Sequence, residues 1–255
     1  MLEVRRSRDR GYADHGWLRS YYTFSFADYY DPEHVDFGPL QVMNEDRVRA
    51  GRGYAAQERR EVAVLIWLIA GELEHQDSLG NQARLQANSL QYICGGTGVT
   101  HTETNPSPLE EAHLLTICLR PPTAGLPPAY RHKHFPQQEQ RGTLRLIASP
   151  EGESGSVALQ QETRLYAGHL HDSQQAALEI EKSRRAFVHV VRGSIAVNEV
   201  RLNAGDGVKV TPPGEVMLQY GREADVVVFD LPAGVVPPTG KPAAGRPRKA
   251  VKVSR

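Results

Sequence analysis

Ile69-Ala70-Gly71-Glu72-Leu73 and Val191-Arg192-Gly193-Ser194-Ile195 share one pattern: the end of an apolar run, a glycine, and the start of a second run. Each is followed by a second matching stretch, Leu85-Gln86-Ala87-Asn88-Ser89 in the first case and Leu202-Asn203-Ala204-Gly205-Asp206 in the other. Gly71 and Leu85 lie 14 positions apart, Gly193 and Leu202 only 9. The five extra residues fall around Asp77-Ser78-Leu79-Gly80-Asn81, turn formers that read as a longer hairpin loop. Two copies of strand, glycine turn, strand, small-residue turn and strand predict a duplicated unit, one per half.

The rest of the chain agrees with an all-β fold. Short apolar runs at Val62–Ala70, Leu114–Leu119, Thr143–Ile147, Ala186–Val191, Val208–Thr211 and Val226–Leu231 are rich in β-branched residues and bounded by Gly, Pro, Asn or Asp. Helical signal is thin; residues from Asp9 to His15 could hold a turn. Strands at this spacing predict sandwiches or barrels rather than βαβ units. The Pro-rich segment from Pro121 to Pro128, with the following Tyr130-Arg131-His132-Lys133-His134-Phe135-Pro136, reads as the connection between the halves. The expected domains are residues 1–130 and 131–235, with 236–255 a disordered tail.

Charge and composition exclude several classes. The 255 residues carry 30 Lys plus Arg against 30 Asp plus Glu. From Lys241 onward six residues are basic and none acidic, so the body is mildly acidic and the tail basic. No globally basic face points to nucleic acid, and the tail, without aromatics for base stacking, supplies only non-specific attraction. The longest apolar run, Val62 to Ala70, is about half of what a membrane helix needs. No signal-peptide segment follows MLEVRRSRDR, and two cysteines, Cys94 and Cys118, make no disulfide framework. The expectation is a cytoplasmic protein with no membrane partner.

Chemistry concentrates in Gly95-Gly96-Thr97-Gly98-Val99-Thr100-His101-Thr102-Glu103-Thr104-Asn105-Pro106. His101 and Glu103, two apart on a strand, point to one face and could supply half of a mixed nitrogen and oxygen metal site. The G-x-x-H-x-x-x-N spacing around them resembles the second signature motif of the cupin superfamily. Asp14-His15-Gly16-Trp17-Leu18, Thr23-Phe24-Ser25-Phe26-Ala27-Asp28-Tyr29-Tyr30-Asp31-Pro32, Asn44-Glu45-Asp46 and Gly71-Glu72-Leu73-Glu74-His75-Gln76-Asp77-Ser78 resemble the pirin family. Val190-Val191-Arg192-Gly193-Ser194, Gly205-Asp206-Gly207 and Phe229-Asp230-Leu231-Pro232 resemble the C-terminal cupin of its bacterial members. The resemblance implies two jelly-roll barrels in one chain, a bicupin. It also implies one iron or similar metal in the N-terminal barrel, held by three histidines and a glutamate, with none in the C-terminal one. Some bacterial members have quercetin 2,3-dioxygenase activity; others are implicated in regulating transcription or partner enzymes.

One departure bears directly on function. The family's H-P-H motif should follow Gly53-Tyr54-Ala55-Ala56, where this chain has Gln57-Glu58-Arg59. Gln57 and Arg59 therefore replace two ligand histidines, and Ala63 stands where the general cupin motif has a glutamate. Of the implied metal ligands only His101 and Glu103 remain. Glutamine is a poor substitute for imidazole toward a transition metal, and arginine carries a permanent charge with no acceptor lone pair. The expectation is a metal-free pocket of Gln57, Arg59, His101, Glu103 and Tyr22, with Arg59 paired to Glu103. It would hold a small polar or aromatic ligand, with room for a protein partner. No cofactor is expected, or iron or another divalent transition metal if the residual pair binds one. The alternative is a metal-dependent dioxygenase of the quercetin 2,3-dioxygenase type, with Glu103 as its catalytic base. His132 and His134 read as part of a solvated basic turn, His75 as a structural hydrogen-bonding residue, and His113 as a core or pocket-edge histidine. His169 and His171 share a strand face without an identified partner.

Overall fold

The computed structural model describes residues 2–211, 214–234 and 251–252. It contains β-strands and three short 3-10 turns, and no α-helix among the described residues. None of its helices is long and apolar enough to cross a membrane. Two compact units divide the chain, residues 11–134 in one and residues 1–10 with 135–235 in the other. The division thus falls four residues beyond the expected boundary, and the first ten residues belong with the second half. The reason is the opening strand β1 (Leu2–Arg5), which pairs antiparallel with β19 (Gly207–Val210), Leu2 opposite Val210.

The first unit opens with β2 (Gly11–Asp14), β3 (Leu18–Tyr22), β4 (Leu40–Val48) and β5 (Arg52–Arg59). Of the stretch Asp9–His15, read as a possible turn, Asp9 ends a 3-10 turn (Ser7–Asp9) and Gly11–Asp14 form the strand β2. Next come β6 (Ala63–Ala70), β7 (Glu72–Asp77), β8 (Gln82–Gln86) and β9 (Ser89–Cys94). The unit closes with β10 (Val99–Thr104), β11 (Ala112–Leu119) and β12 (Ala129–His134). Seven of these form a sheet in the order β12-β9-β6-β11-β4-β3-β2; β5, β10, β7 and β8 lie side by side in a second sheet. The apolar run of β6 is buried from Ala63 to Ile69 because it lies inside its sheet, between β9 and β11. The sequence of β10, VTHTET, alternates buried and more exposed positions, turning Val99, His101 and Glu103 inward. The connector segment is not a turn. Residues 129–134 form β12, an edge strand on β9, with His132 and His134 exposed.

The second unit runs through β13 (Leu144–Ser149), β14 (Val157–Ala158), β15 (Arg164–Leu170) and β16 (Ala176–Glu179). It continues with β17 (Arg184–Val197), β18 (Val200–Asn203), β19 and the 18-residue β20 (Glu215–Pro232). Val188, Ile195, Leu202, Val208, Val216 and Leu218 are fully buried in its apolar cluster.

The repeat read from the sequence is real in three dimensions. Leu73 pairs with Leu85 across β7 and β8, and Ile195 with Leu202 across β17 and β18. Gly71 and Gly193 both have positive φ, 80° and 67°, which glycine adopts without a Cβ penalty. Asn88 and Gly205 occupy matching turns, each donating its N–H over 2.7 Å, to Leu68 O and Val190 O respectively. In the first unit, the added residues form the Asp77–Asn81 loop, where Asp77 Oδ1 accepts from the backbone N–H groups of Leu79 and Asn81, both at 2.9 Å. The second unit closes the same hairpin through Asn198 and Glu199, both at positive φ. Of the tail, only Val251 and Lys252 are described, paired with Gly53 and Arg52; the expectation of disorder for the rest lies outside the described residues.

Candidate functional site

Four strands aim polar side chains into the first unit. From β10 come His101 and Glu103, 2% and 4% exposed. Their neighbours on β7 are in register, with Asp77 opposite His101 and His75 opposite Glu103. On the other side β5 places Gln57 opposite His101, then slips by a bulge so that Tyr54 stands opposite Glu103. Residues three apart on a regular strand face opposite ways; the bulge lets Tyr54, Gln57 and Arg59 line one cavity. Gln91 on β9 completes the set, fully buried.

A continuous chain of contacts joins these groups. Arg59 donates through Nε to His101 Nε2 at 3.2 Å and through its terminal nitrogen to Gln57 Oε1. In this arrangement the His101 Nε2 lone pair is engaged by the guanidinium. The His101 Nδ1 lies 3.4 Å from Glu103 Oε1. The same Oε1 accepts from Gln91 Nε2 at 2.6 Å, and Gln91 Oε1 accepts from the Tyr130 hydroxyl at 3.1 Å. Burial acts to raise the Glu103 pKa, but His101, His75 and Arg59 together outweigh it and hold the carboxyl below its ordinary range.

The expected Arg59–Glu103 pair is not made. Arg59 contacts His101 and Gln57 instead and acts on Glu103 only through space; it lies opposite Val99, four residues along β10 from Glu103. Tyr22 does line the cavity, 4% exposed, its hydroxyl pushed up to about 12 by burial and the charge of Asp46.

His75 is closer to the site than its reading as a structural residue suggested. Its Nε2 meets Asp77 Oδ2 at 3.2 Å, and its ring stacks on Tyr130 with centroids 4.2 Å apart. Donor atoms of His75, His101 and Glu103 all lie within 4.8 Å of one another. Burial lowers the His75 pKa. The alternation Glu74-His75-Gln76-Asp77 was the available signal, since it puts His75 and Asp77 on one face.

Two further residues were missed. Asp46 accepts hydrogen bonds from Ser20, from Thr116 at 2.6 Å and from Tyr54 at 3.2 Å. Burial raises its pKa despite these donors. Asn44, 3% exposed, lines the same cavity, and its Oδ1 has no hydrogen-bond partner. Elsewhere, His113 is buried against Glu45 Oε1 at 2.9 Å. His169 finds Asp225 at 2.7 Å and His171 finds Asp172 at 3.1 Å. Both cysteines are buried and free. Ala63 is buried at the start of β6 and pairs with Cys94, so it belongs to a different strand from Gln57 and Arg59.

Residues 2–118 match the pirin family model, and residues 146–231 match the model of the quercetinase C-terminal cupin domain. This chain belongs to the pirin family. A quercetin 2,3-dioxygenase from Escherichia coli strain K12 is 34% identical over 232 residues, 91% of this chain and 99% of that one. The structure of the pirin YhhW from Escherichia coli superposes with a TM-score of 0.88 at 34% identity, covering 92% of this chain and 99% of that one. The structure of bacterial pirin YhhW in complex with nickel(II) gives a TM-score of 0.87 at 35% identity, covering 92% and 100%. A pirin-like protein from Caulobacter vibrioides is 29% identical over 86% of this chain. The pirin fold is therefore present in both units, and a metal is part of at least one relative's structure.

Proposed function

We propose that the N-terminal barrel of this pirin-family chain is a ligand-binding module, working as a binding or regulatory protein rather than as a metal-dependent dioxygenase. The observation that carries the reading is the Arg59 guanidinium donating to His101 Nε2. That nitrogen has no second lone pair for a metal while it accepts from Arg59. A unit positive charge about 4 Å from a divalent ion also costs about 8 kcal/mol at an effective dielectric near 20. That equals the whole free energy of a micromolar site, about 8 kcal/mol. The donors of this chain do not fit the family's metal, because two of its four ligands are gone and a third is engaged by a cation.

A competing reading keeps the activity named for the relatives, with Glu103 as base. What favours it is the cluster of His75, His101 and Glu103 donor atoms. Two measurements on the full chain, purified without chelator, separate the readings. Elemental analysis is expected to give far less than one metal per chain, and quercetin is expected to produce no oxygen uptake. Near-stoichiometric iron, copper or nickel, or turnover at enzyme-like rates, overturns the proposal in favour of the dioxygenase.

A further inference from the structure

The cavity beside Arg59 has a size and a set of unmet polar groups that together select a ligand. Its volume is about 40 Å³. At roughly 10–15 Å³ for each water it holds about three waters. A carboxylate of two or three carbons can take the place of those waters.

Charge and hydrogen bonding narrow the choice. Arg59 lines the cavity and is hydrogen-bonded only to His101 and Gln57, neither of them an anion. Among the described residues no carboxylate lies within ion-pair distance of its guanidinium, and most of its five N–H donors remain unused. The Asn44 side chain, 3% exposed, lines the same space, and its Oδ1 has no hydrogen-bond partner among the described residues. A buried amide oxygen left unpaired costs roughly 1–3 kcal/mol, so a partner for it belongs to the working state of the site. Glu103 meets the cavity with one oxygen, Oε1, already taken by Gln91. Its other oxygen is an acceptor without a donor among the described residues.

From this we infer that the pocket binds a small α-hydroxycarboxylate, and the inference rests on the metal-free reading above. The carboxylate takes the Arg59 fork, and the hydroxyl donates to the orphaned Asn44 Oδ1. Arginine suits a planar carboxylate because its N–H groups match the two oxygens. An anion of this kind makes the direct ion pair that no carboxylate among the described residues makes with Arg59.

Glycolate is the probe, with acetate as the analogue lacking the hydroxyl and glycolamide as the analogue lacking the charge. Isothermal calorimetry on the full chain, whose metal content has been measured first, is expected to show glycolate binding about five- to tenfold tighter than acetate, the worth of one hydrogen bond. Glycolamide is expected not to bind measurably. Arg59→Gln is expected to abolish glycolate binding, and Asn44→Ala to weaken it about tenfold. The wild-type comparison of the three probes needs no variant, so a variant that fails to fold leaves the test intact. Equal binding of acetate and glycolate, or no binding of either at millimolar concentration to metal-free protein, overturns the inference while leaving the metal-free reading in place. Stoichiometric metal in the purified chain overturns both.

Discussion

Replacing Gln57 and Arg59 together by histidine is expected to convert this pocket into a metal site. The structure gives the reasons. Gln57 and Arg59 share the inward face of β5, and Gln57 pairs with His101 across the sheet. Arg59→His removes the charge that costs a divalent ion about 8 kcal/mol and releases His101 Nε2 from its hydrogen bond. It also supplies an imidazole, and Gln57→His supplies a second, giving three histidines with Glu103. Removing repulsion of that size lifts an unmeasurable affinity to micromolar or tighter, a change of at least about three decades. The assay is calorimetric titration of nickel(II) into the full chain, with metal content after dialysis as a second readout. Gln57→His alone keeps the guanidinium and is expected to bind nothing. A double variant that melts cooperatively at the wild-type temperature yet takes up no nickel refutes the reasoning. So does a wild type that binds nickel as tightly as the double variant, because Arg59 then excludes nothing.

Three further outcomes are expected. Gln91→Leu strips Glu103 Oε1 of its 2.6 Å donor and Tyr130 of its acceptor. It is expected to cost about 1–3 kcal/mol, a melting point lower by roughly 2–4 °C for each kcal/mol. Alanine at Gly193 is expected to damage the fold more than at Gly71, and at Gly71 more than at Gly16, in denaturant melts. A Cβ would stand 2.2 Å from the Arg222 and Glu223 carbonyl oxygens at Gly193 and 2.7 Å from Glu111 O at Gly71, whereas Gly16 has open space and pays only its φ of 78°. For Asp77, burial acts to raise the pKa, but hydrogen bonds from Asn81 and the Leu79 N–H prevail and lower it. A depressed carboxyl stabilises the fold above its unfolded pKa of about 4 and loses that contribution as pH falls through its folded value. Wild type is therefore expected to melt above Asp77→Asn at neutral pH, with the gap closing in acid; a gap that stays constant into acid contradicts the assignment.

The duplication was legible because it rests on glycine. A strand-to-strand turn at positive φ excludes most side chains, so Gly71 and Gly193 leave a mark in any sequence that builds it. His101 and Glu103 were legible for a similar reason, since alternation on one strand needs no tertiary information. The cavity needed more. Tyr54 and Gln57 stand three apart and share a wall only because of the bulge opposite β10, and no residue in Gly53-Tyr54-Ala55-Ala56 announces a bulge. Arg59, opposite Val99, takes His101 as its partner and not the carboxylate its charge suggests. Asp46 and Asn44 sit on β4, distant in sequence from β10, and reach the site by the closing of the sheet. Composition could not show that three hydroxyls converge on Asp46.

The repeat itself explains why the Glu103 arrangement has no counterpart at the matching position of the second unit. Counting on from the matched Ser89 and Asp206 puts Gln91 of β9 against Val208 of β19. Both are fully buried, but Gln91 holds the Glu103 carboxylate while Val208 packs with Val188, Ile195 and Leu202 in an apolar core. A carboxylate in a barrel interior must have its lone pairs met, since an unpaired buried charge costs several kcal/mol. Valine cannot donate, so the second unit has no place for a counterpart of Glu103 at that position. The exchange of amide for aliphatic chain keeps the hairpin frame common to both halves, yet supplies a donor to a buried carboxylate only in the first. Val208→Gln is accordingly expected to destabilise the second unit by leaving an amide without partners, whereas its natural counterpart Gln91 stabilises the first.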